Sequence, residues 1–459
     1  MARSPRSFLP LAAALFLLPA ALFASDRSVA TEHFKVHYPS ELRPYAERVA
    51  QIAEAVHDTL TRRYGMELPQ TVELIVENGL AANGYAHPAT NRICVNASDW
   101  GFSLRSTHDW LRNVVAHEFS HIISLGKGAR TPDWLYGVFL SYSDYFDEAK
   151  QQNAAFALPF RAVPAWFSEG TAQYETERMG FEVWDSHRDM ILRLAVLDSA
   201  LFPLSEMGQF VAEDDIDLER GPYTQGYALV RYIAKRWGDE AVVRIWKELS
   251  RWSAGGFSGA VRNVTGLKPE RLYEEWKADL EKHYRAQADT LGELSEGRAL
   301  TAESWFQDLP RYDARGGLWF VSNFGSPAWD GALARVPDSV LEASRNDTAF
   351  RPSAPSGAWR ADEGFRLDKP YLERGYDVWA PADSSAAPRR AYVTYKYRDK
   401  KRKRHLDLLV QDSSATGLFK KPADWRLTRL ADAVHPAFSR DGRSLAYARR
   451  DPNSGTFSL

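Results

Sequence analysis

The sequence predicts an α+β domain over residues 25–285, followed by an all-β domain over residues 299–459 laid out as an incomplete β-propeller. Three observations carry this expectation. Up to residue 285, segments with the two-residue alternation of strands are interleaved with segments of helical period. Residues 286–298 are small and polar, as a linker is. Beyond them, short β-rich runs are separated by Gly, Pro, Ser and Asp, and one pattern among them repeats.

A chain of 459 residues suits two or three domains, each able to bury its own core. Arg3 and Arg6 precede an apolar run over residues 9–24, after which Ser25-Asp26-Arg27 is polar. This is the layout of a secretory signal peptide over residues 1–24, too short for a membrane span. The expected location is therefore a bacterial periplasm or the exterior, with no transmembrane segment in the mature chain. Cys94 is the one cysteine, so no intrachain disulfide can form and stability must come from packing. The 58 basic and 60 acidic residues leave a net charge of −2, which gives no footprint for nucleic acid.

Residues 32–38 alternate like a half-buried strand, and residues 45–64 have helical period with Gly65 as the stop. Two further strands are expected at residues 72–76 and 92–96, joined through Asn83-Gly84-Tyr85-Ala86-His87-Pro88. Helices follow. The first contains Asn113-Val114-Val115-Ala116-His117-Glu118-Phe119-Ser120-His121. Positions i and i+4 of a helix project about 40° apart, so His117 and His121 can present two ring nitrogens to one ion. Residues 106–109 offer a cap, Trp110, Leu111, Val114, Val115, Ile122 and Leu125 an apolar face, and Gly126 a stop. Glu118 then lies beside the ion's open side, placed to take a proton without ligating. The plain alternative is a pair of core histidines with satisfied hydrogen bonds.

A catalytic zinc needs a third protein ligand and an open position. Glu169 offers it, in the segment Trp166-Phe167-Ser168-Glu169-Gly170-Thr171-Ala172-Gln173-Tyr174. This segment resembles the W-x-x-E-G-x-A-x-Y stretch of gluzincin (peptidase-MA-like) metallopeptidases, the thermolysin and aminopeptidase-N-like superfamily. The resemblance covers residues 31–284. It implies a thermolysin/aminopeptidase-like domain holding one Zn²⁺ per chain on His117, His121 and Glu169. A peptide or protein substrate would be hydrolysed by a zinc-activated water with Glu118 as general base. Pro222-Tyr223-Thr224-Gln225-Gly226-Tyr227 resembles the Y-x-x-G segment that carries an oxyanion-binding tyrosine in that superfamily, with Tyr223 as the match and Tyr227 as the fallback. By analogy, Gly84, Tyr85 and Ala86 fall on the strand that pairs with substrate backbone. The acidic residue that holds a free amino terminus in aminopeptidases has no counterpart there, which argues against that specificity.

The spacing departs from the family. Forty-seven residues separate His121 from Glu169, where the better-known members leave about eighteen. The added length is aromatic (Trp134, Tyr136, Phe139, Tyr142, Tyr145, Phe146, Phe156, Phe160) and either covers a cleft or packs as ordinary core.

In the C-terminal part, Pro310-Arg311-Tyr312, Gly316 and Leu318 match Pro436-Ala437-Phe438, Gly442 and Leu445, 126 residues further on. That offset is three periods of 42, inside the range of a four-stranded propeller blade, with intermediate copies expected near 352 and 394. Residues 435–448 resemble the blade signature of TolB-like propellers, which implies a protein partner bound there. Fewer than four periods fit after residue 300, so the ring is expected to be cut short. The basic run Lys400-Lys401-Arg402-Lys403-Arg404 reads as a solvated hairpin tip. A second functional reading remains beside the peptidase: a non-catalytic envelope binding or scaffold protein with a vestigial or structural metal site.

Overall fold

A computed structural model of the chain describes residues 27–77, 82–97, 109–129, 139–144, 152–157, 161–208, 219–292, 297–302, 307–323, 332–353, 372–381, 388–397, 405–412, 423–450 and 457–459. The expected signal peptide lies outside these residues. Two compact units meet at Ala286 and Gln287.

The first unit is built on a five-stranded sheet of β1 (Arg27–Ala30), β2 (Phe34–Tyr38), β3 (Val72–Glu77), β4 (Gly84–His87) and β5 (Arg92–Asn96), in the order β1-β2-β3-β5-β4. β2, β3 and β5 run parallel, while β1 and β4 are antiparallel at the two edges. The alternation in β3 explains its seat: Val72, Leu74 and Val76 are fully buried and Glu73 and Glu77 are not.

Helices cover the buried face. α1 (Arg43–Tyr64) carries Pro44 in its first turn and buries Tyr45, Val49, Ile52, Val56 and Leu60, one helical stripe. Gly65, at φ 55°, ends it by donating its N–H to Arg62. α2 (Trp110–Gly128) starts at Asp109, whose carboxylate accepts from the Arg112 N–H at 3.4 Å. All six residues expected on the apolar face of α2 are buried. The helix does not stop at Gly126 but runs to Gly128. Gly126 lies within the helix, and Met66 fills the space a side chain would need there, which accounts for the glycine. α1 packs on β2, α2 packs on β4 and β5, and the two helices pack on each other.

After α2, β6 (Phe139–Asp144), β7 (Gln152–Ala157) and β8 (Arg161–Ala162) form an antiparallel three-stranded sheet within the aromatic insert. Trp134, Tyr136, Tyr145, Phe146 and Phe160 lie outside the described residues. Then come α3 (Ala165–Arg178), α4 (Ser186–Leu197), α5 (Gly226–Trp237), α6 (Glu240–Leu249), α7 (Phe257–Thr265) and α8 (Pro269–Thr290). Trp166, Trp246 and Trp276 are the largest fully buried side chains of this core, each contributing several kcal/mol by burial, on the order of 25 cal/mol per Å² of apolar surface. The expected linker at 286–298 begins inside α8, which runs on to Thr290.

The second unit corrects the expected fold class. β9 (Gln307–Tyr312), β10 (Leu318–Ser322) and β11 (Ala332–Arg335) form one small sheet, and α9 (Asp338–Asn346) follows. β12 (Tyr376–Trp379), β13 (Arg389–Thr394), β14 (Asp407–Asp412) and β15 (Ala423–Arg426) form a second. β16 (Ala433–Phe438), β17 (Leu445–Arg450) and β18 (Phe457–Ser458) form a third. The chain is thus mixed α/β with several small separate sheets, and among the described residues no propeller ring closes. The two repeat copies are real as local structure: both are hairpins whose turn glycines, Gly316 (φ 79°) and Gly442 (φ 67°), sit in the left-handed region. Of the intermediate copies expected near 352 and 394, the first runs into residues outside those described and the second coincides with β13, while α9 buries Leu341 against Phe320, Ala334 and Val336. The basic run falls between β13 and β14, outside the described residues. Among the described residues no helix is long and apolar enough to cross a membrane.

Candidate metal centre

α2 and α3 pack along each other, and small residues let α3 seat closely in turn against α5. A side chain at Gly170 would strike the backbone of Gly226, and one at Gly226 would strike the backbone of Trp166. Trp246 fixes the other side of α3, its indole N–H donating to Thr171 Oγ1 at 3.2 Å. On α2, the Asn113 amide donates to the Glu182 carboxylate at 2.9 Å, and Arg188 donates to both oxygens of that carboxylate at 2.8 and 3.2 Å. The helix is therefore pinned one turn before its first histidine.

The result is a triangle of donor atoms. His117 Nε2 lies 3.1 Å from Glu169 Oε2, His121 Nε2 lies 3.3 Å from the same oxygen, and the two Nε2 atoms are 3.2 Å apart. Three ligands on a tetrahedral zinc with bonds of 2.0–2.1 Å would stand about 3.3–3.4 Å from one another, so these residues fit such an ion closely. The second nitrogen of His121 is also occupied, with Nδ1 3.1 Å from Ser168 Oγ. A ligating Nε2 requires the proton on Nδ1, where the Ser168 oxygen accepts it.

Without an ion, the histidines and Glu169 attract one another as an ion pair. Burial alone would push His121 down and Glu169 up, but their mutual attraction outweighs it. His121 is raised to about 9 and Glu169 is held well below the usual carboxylate range. Glu118 is 6 % exposed, and burial, reinforced by Glu169, raises its pKa against the pull of the two histidines. Its side chain lies beside Gly84 on β4.

Of the remaining sequence-predicted residues, Tyr223 is half-buried on the kinked segment Glu219–Gln225, which packs against α3. Tyr227 is fully buried, its ring facing Trp184 with the Arg188 and Arg231 guanidinium groups 5.4 and 5.7 Å from its centroid. The fallback tyrosine is thus a packed core residue. Gly84, Tyr85 and Ala86 lie on β4, the edge strand of the sheet. Ser168 was missed by sequence reasoning, although it stands beside Glu169 in the motif.

His33, Glu54 and His57 also bring potential donor atoms within 4.8 Å of one another. Their geometry is different. Two imidazoles sharing one tetrahedral ion hold their centroids about 5 Å apart; His117 and His121 do so, at 4.9 Å and 80°. His33 and His57 are stacked at 3.7 Å and 17°, too close and too parallel to aim at a common ion.

No protein-family model matches this chain, and no curated protein matches it.

Proposed function

We propose that the chain is an exported, zinc-dependent hydrolase of peptide bonds, of the gluzincin kind. The observation that carries this reading is the donor triangle of His117, His121 and Glu169, with edges of 3.1–3.3 Å. These three residues would hold the ion through Nε2, Nε2 and Oε2. When bound, zinc supplies a Lewis acid that acidifies water and polarises a carbonyl.

The chain's own residues do the rest. Glu118, buried beside the triangle's first histidine, takes the proton of the attacking water and returns it to the leaving amine nitrogen. Its raised pKa suits a group that must both accept and donate. The backbone of Gly84, Tyr85 and Ala86, on an edge strand, receives an extended peptide as an added strand. Tyr223 donates its hydroxyl proton in a hydrogen bond to the carbonyl oxygen as that oxygen gains charge. Export rests on the apolar leader over residues 9–24.

Digestion of fluorescently labelled casein and of a peptide library, before and after chelation, tests the reading. Cleavage that is lost to a chelator and restored by zinc is expected. A zinc-loaded protein that cleaves nothing in either assay would remove the peptidase.

A further inference from the structure

Gly84 is a glycine whose backbone does not explain it. Its φ is not positive, so any residue could adopt this conformation, and it opens β4, in register with Val95 of β5. Glycine within a strand is unfavourable unless something approaches it closely. Here that something is α2. A Cβ built at Gly84 would collide with Val114 Cγ2 and come within 3.1 Å of Glu118 Oε1 and 3.2 Å of Glu118 Cγ. Val114 and Glu118 are one helical turn apart, so both face the strand. Val114 is buried and β-branched, and cannot swing aside. Ala86 stands two residues along, on the same side of β4 as Gly84; the exposed Tyr85 and His87 point the other way. The positions of β4 on the Glu118 side are therefore filled by two of the smallest residues.

We propose that Gly84 is a positioning residue for Glu118, its missing side chain being what lets the Glu118 carboxylate rest against the edge strand. This deepens the reading of Glu118 as the proton carrier and rests on it. A side chain at position 84 must displace Val114 or lift β4 away from α2, and the Glu118 side chain must also give by a few tenths of an ångström. Since a displacement of about 1 Å costs up to about a hundredfold in rate, a shift of a few tenths should cost a few-fold.

Two explanations of the glycine compete, contact with Val114 and contact with Glu118, and substitutions separate them. Gly84→Ala is compared with Gly84→Ala/Val114→Ala, in which the worse collision is relieved. Labelled-casein hydrolysis gives kcat and KM, and thermal unfolding gives Tm. The double variant should be more stable than Gly84→Ala alone, yet keep a kcat a few-fold below that of Val114→Ala, a loss in kcat beyond any change in KM. A double variant with the kcat of Val114→Ala would mean that Gly84 serves only the packing of Val114, and would overturn the proposal. The unfolding data also decide without any activity. In the Val114→Ala background, where the worse collision is gone, the Tm loss caused by Gly84→Ala should shrink further when Glu118→Ala is added, and equal losses with and without Glu118→Ala would overturn it. If wild type cleaves no casein, the peptidase reading fails, and this unfolding comparison still tells whether Gly84 makes room for Glu118.

Discussion

Ser168 Oγ lies 3.1 Å from His121 Nδ1, so two adjacent residues of α3, Ser168 and Glu169, hold opposite nitrogens of one imidazole on α2. A ligand oriented in this way should bind its ion more tightly than a free one. The purified protein is expected to hold about one zinc per chain, and His117→Ala or His121→Ala to remove it. Ser168→Ala should keep the fold and weaken zinc affinity by roughly ten- to a hundredfold. Metal analysis and competition with a chelating dye measure both effects. Unchanged zinc content in both histidine variants would take α2 out of the site.

Glu118→Gln replaces a buried acid, already biased toward its neutral form by burial, with a neutral group of the same shape. Unfolding temperature and zinc content should therefore hold. Turnover should fall by about a hundredfold or more, because an amide cannot accept the proton. A variant that retains wild-type kcat would require another base.

The two tyrosines separate in the same assay. Tyr223→Phe removes the hydroxyl on the kinked turn beside α3 and is expected to lower kcat by about a hundredfold with KM nearly unchanged, as a donor acting on developing charge does. Tyr227→Phe alters a ring packed between two guanidinium groups, and burial pushes its phenol far above the ordinary range. It should leave kcat alone. The opposite pattern would transfer the role to Tyr227.

The local elements were legible in the sequence because they rest on period and on turn chemistry. The stripe of α1 and the four-residue spacing of His117 and His121 survive folding unchanged. What failed was inference from a single residue to an assembly. Gly126 reads as a helix stop, yet its φ is not positive, and it is glycine because Met66 fills the space of a side chain. Gly316 and Gly442 do make the same turn, but a turn fixes one hairpin and carries no information on how sheets are arranged around it. Ser168 and the contact between Gly84 and Glu118 depend on elements distant in sequence, so no periodic signal announces them.

The stacked pair outside the metal centre carries the last prediction, for stability against pH. His57 is nearly buried on α1, 3.7 Å from the His33 ring, with the edges of Phe34 and Phe119 at 6.0 and 5.7 Å. Glu54 accepts from the His33 backbone N–H at 2.9 Å and lies 2.7 Å from its Nδ1, and Glu32 and Asp58 are the other carboxylates facing the pair. Burial lowers the His57 pKa from its ordinary 6.5 and the His33 charge adds to that, outweighing the opposing pull of Asp58 and Glu54. The unfolded chain therefore binds a proton at this position before the folded one does. Stability from His57 should be complete above pH 6.5, fall as the pH drops below that value, and level off once the folded group also titrates, with a slope of no more than one proton. His57→Phe keeps a ring against Phe119 and removes the titration. Urea unfolding at a series of pH values between roughly 5 and 8 should show a smaller acid loss in the variant than in wild type. Parallel curves would mean that protonation at His57 is not what acid acts on. Phe119, whose ring centroid lies 5.7 Å from that of His57, belongs to α2, so the titrating ring packs against the helix that carries His117 and His121.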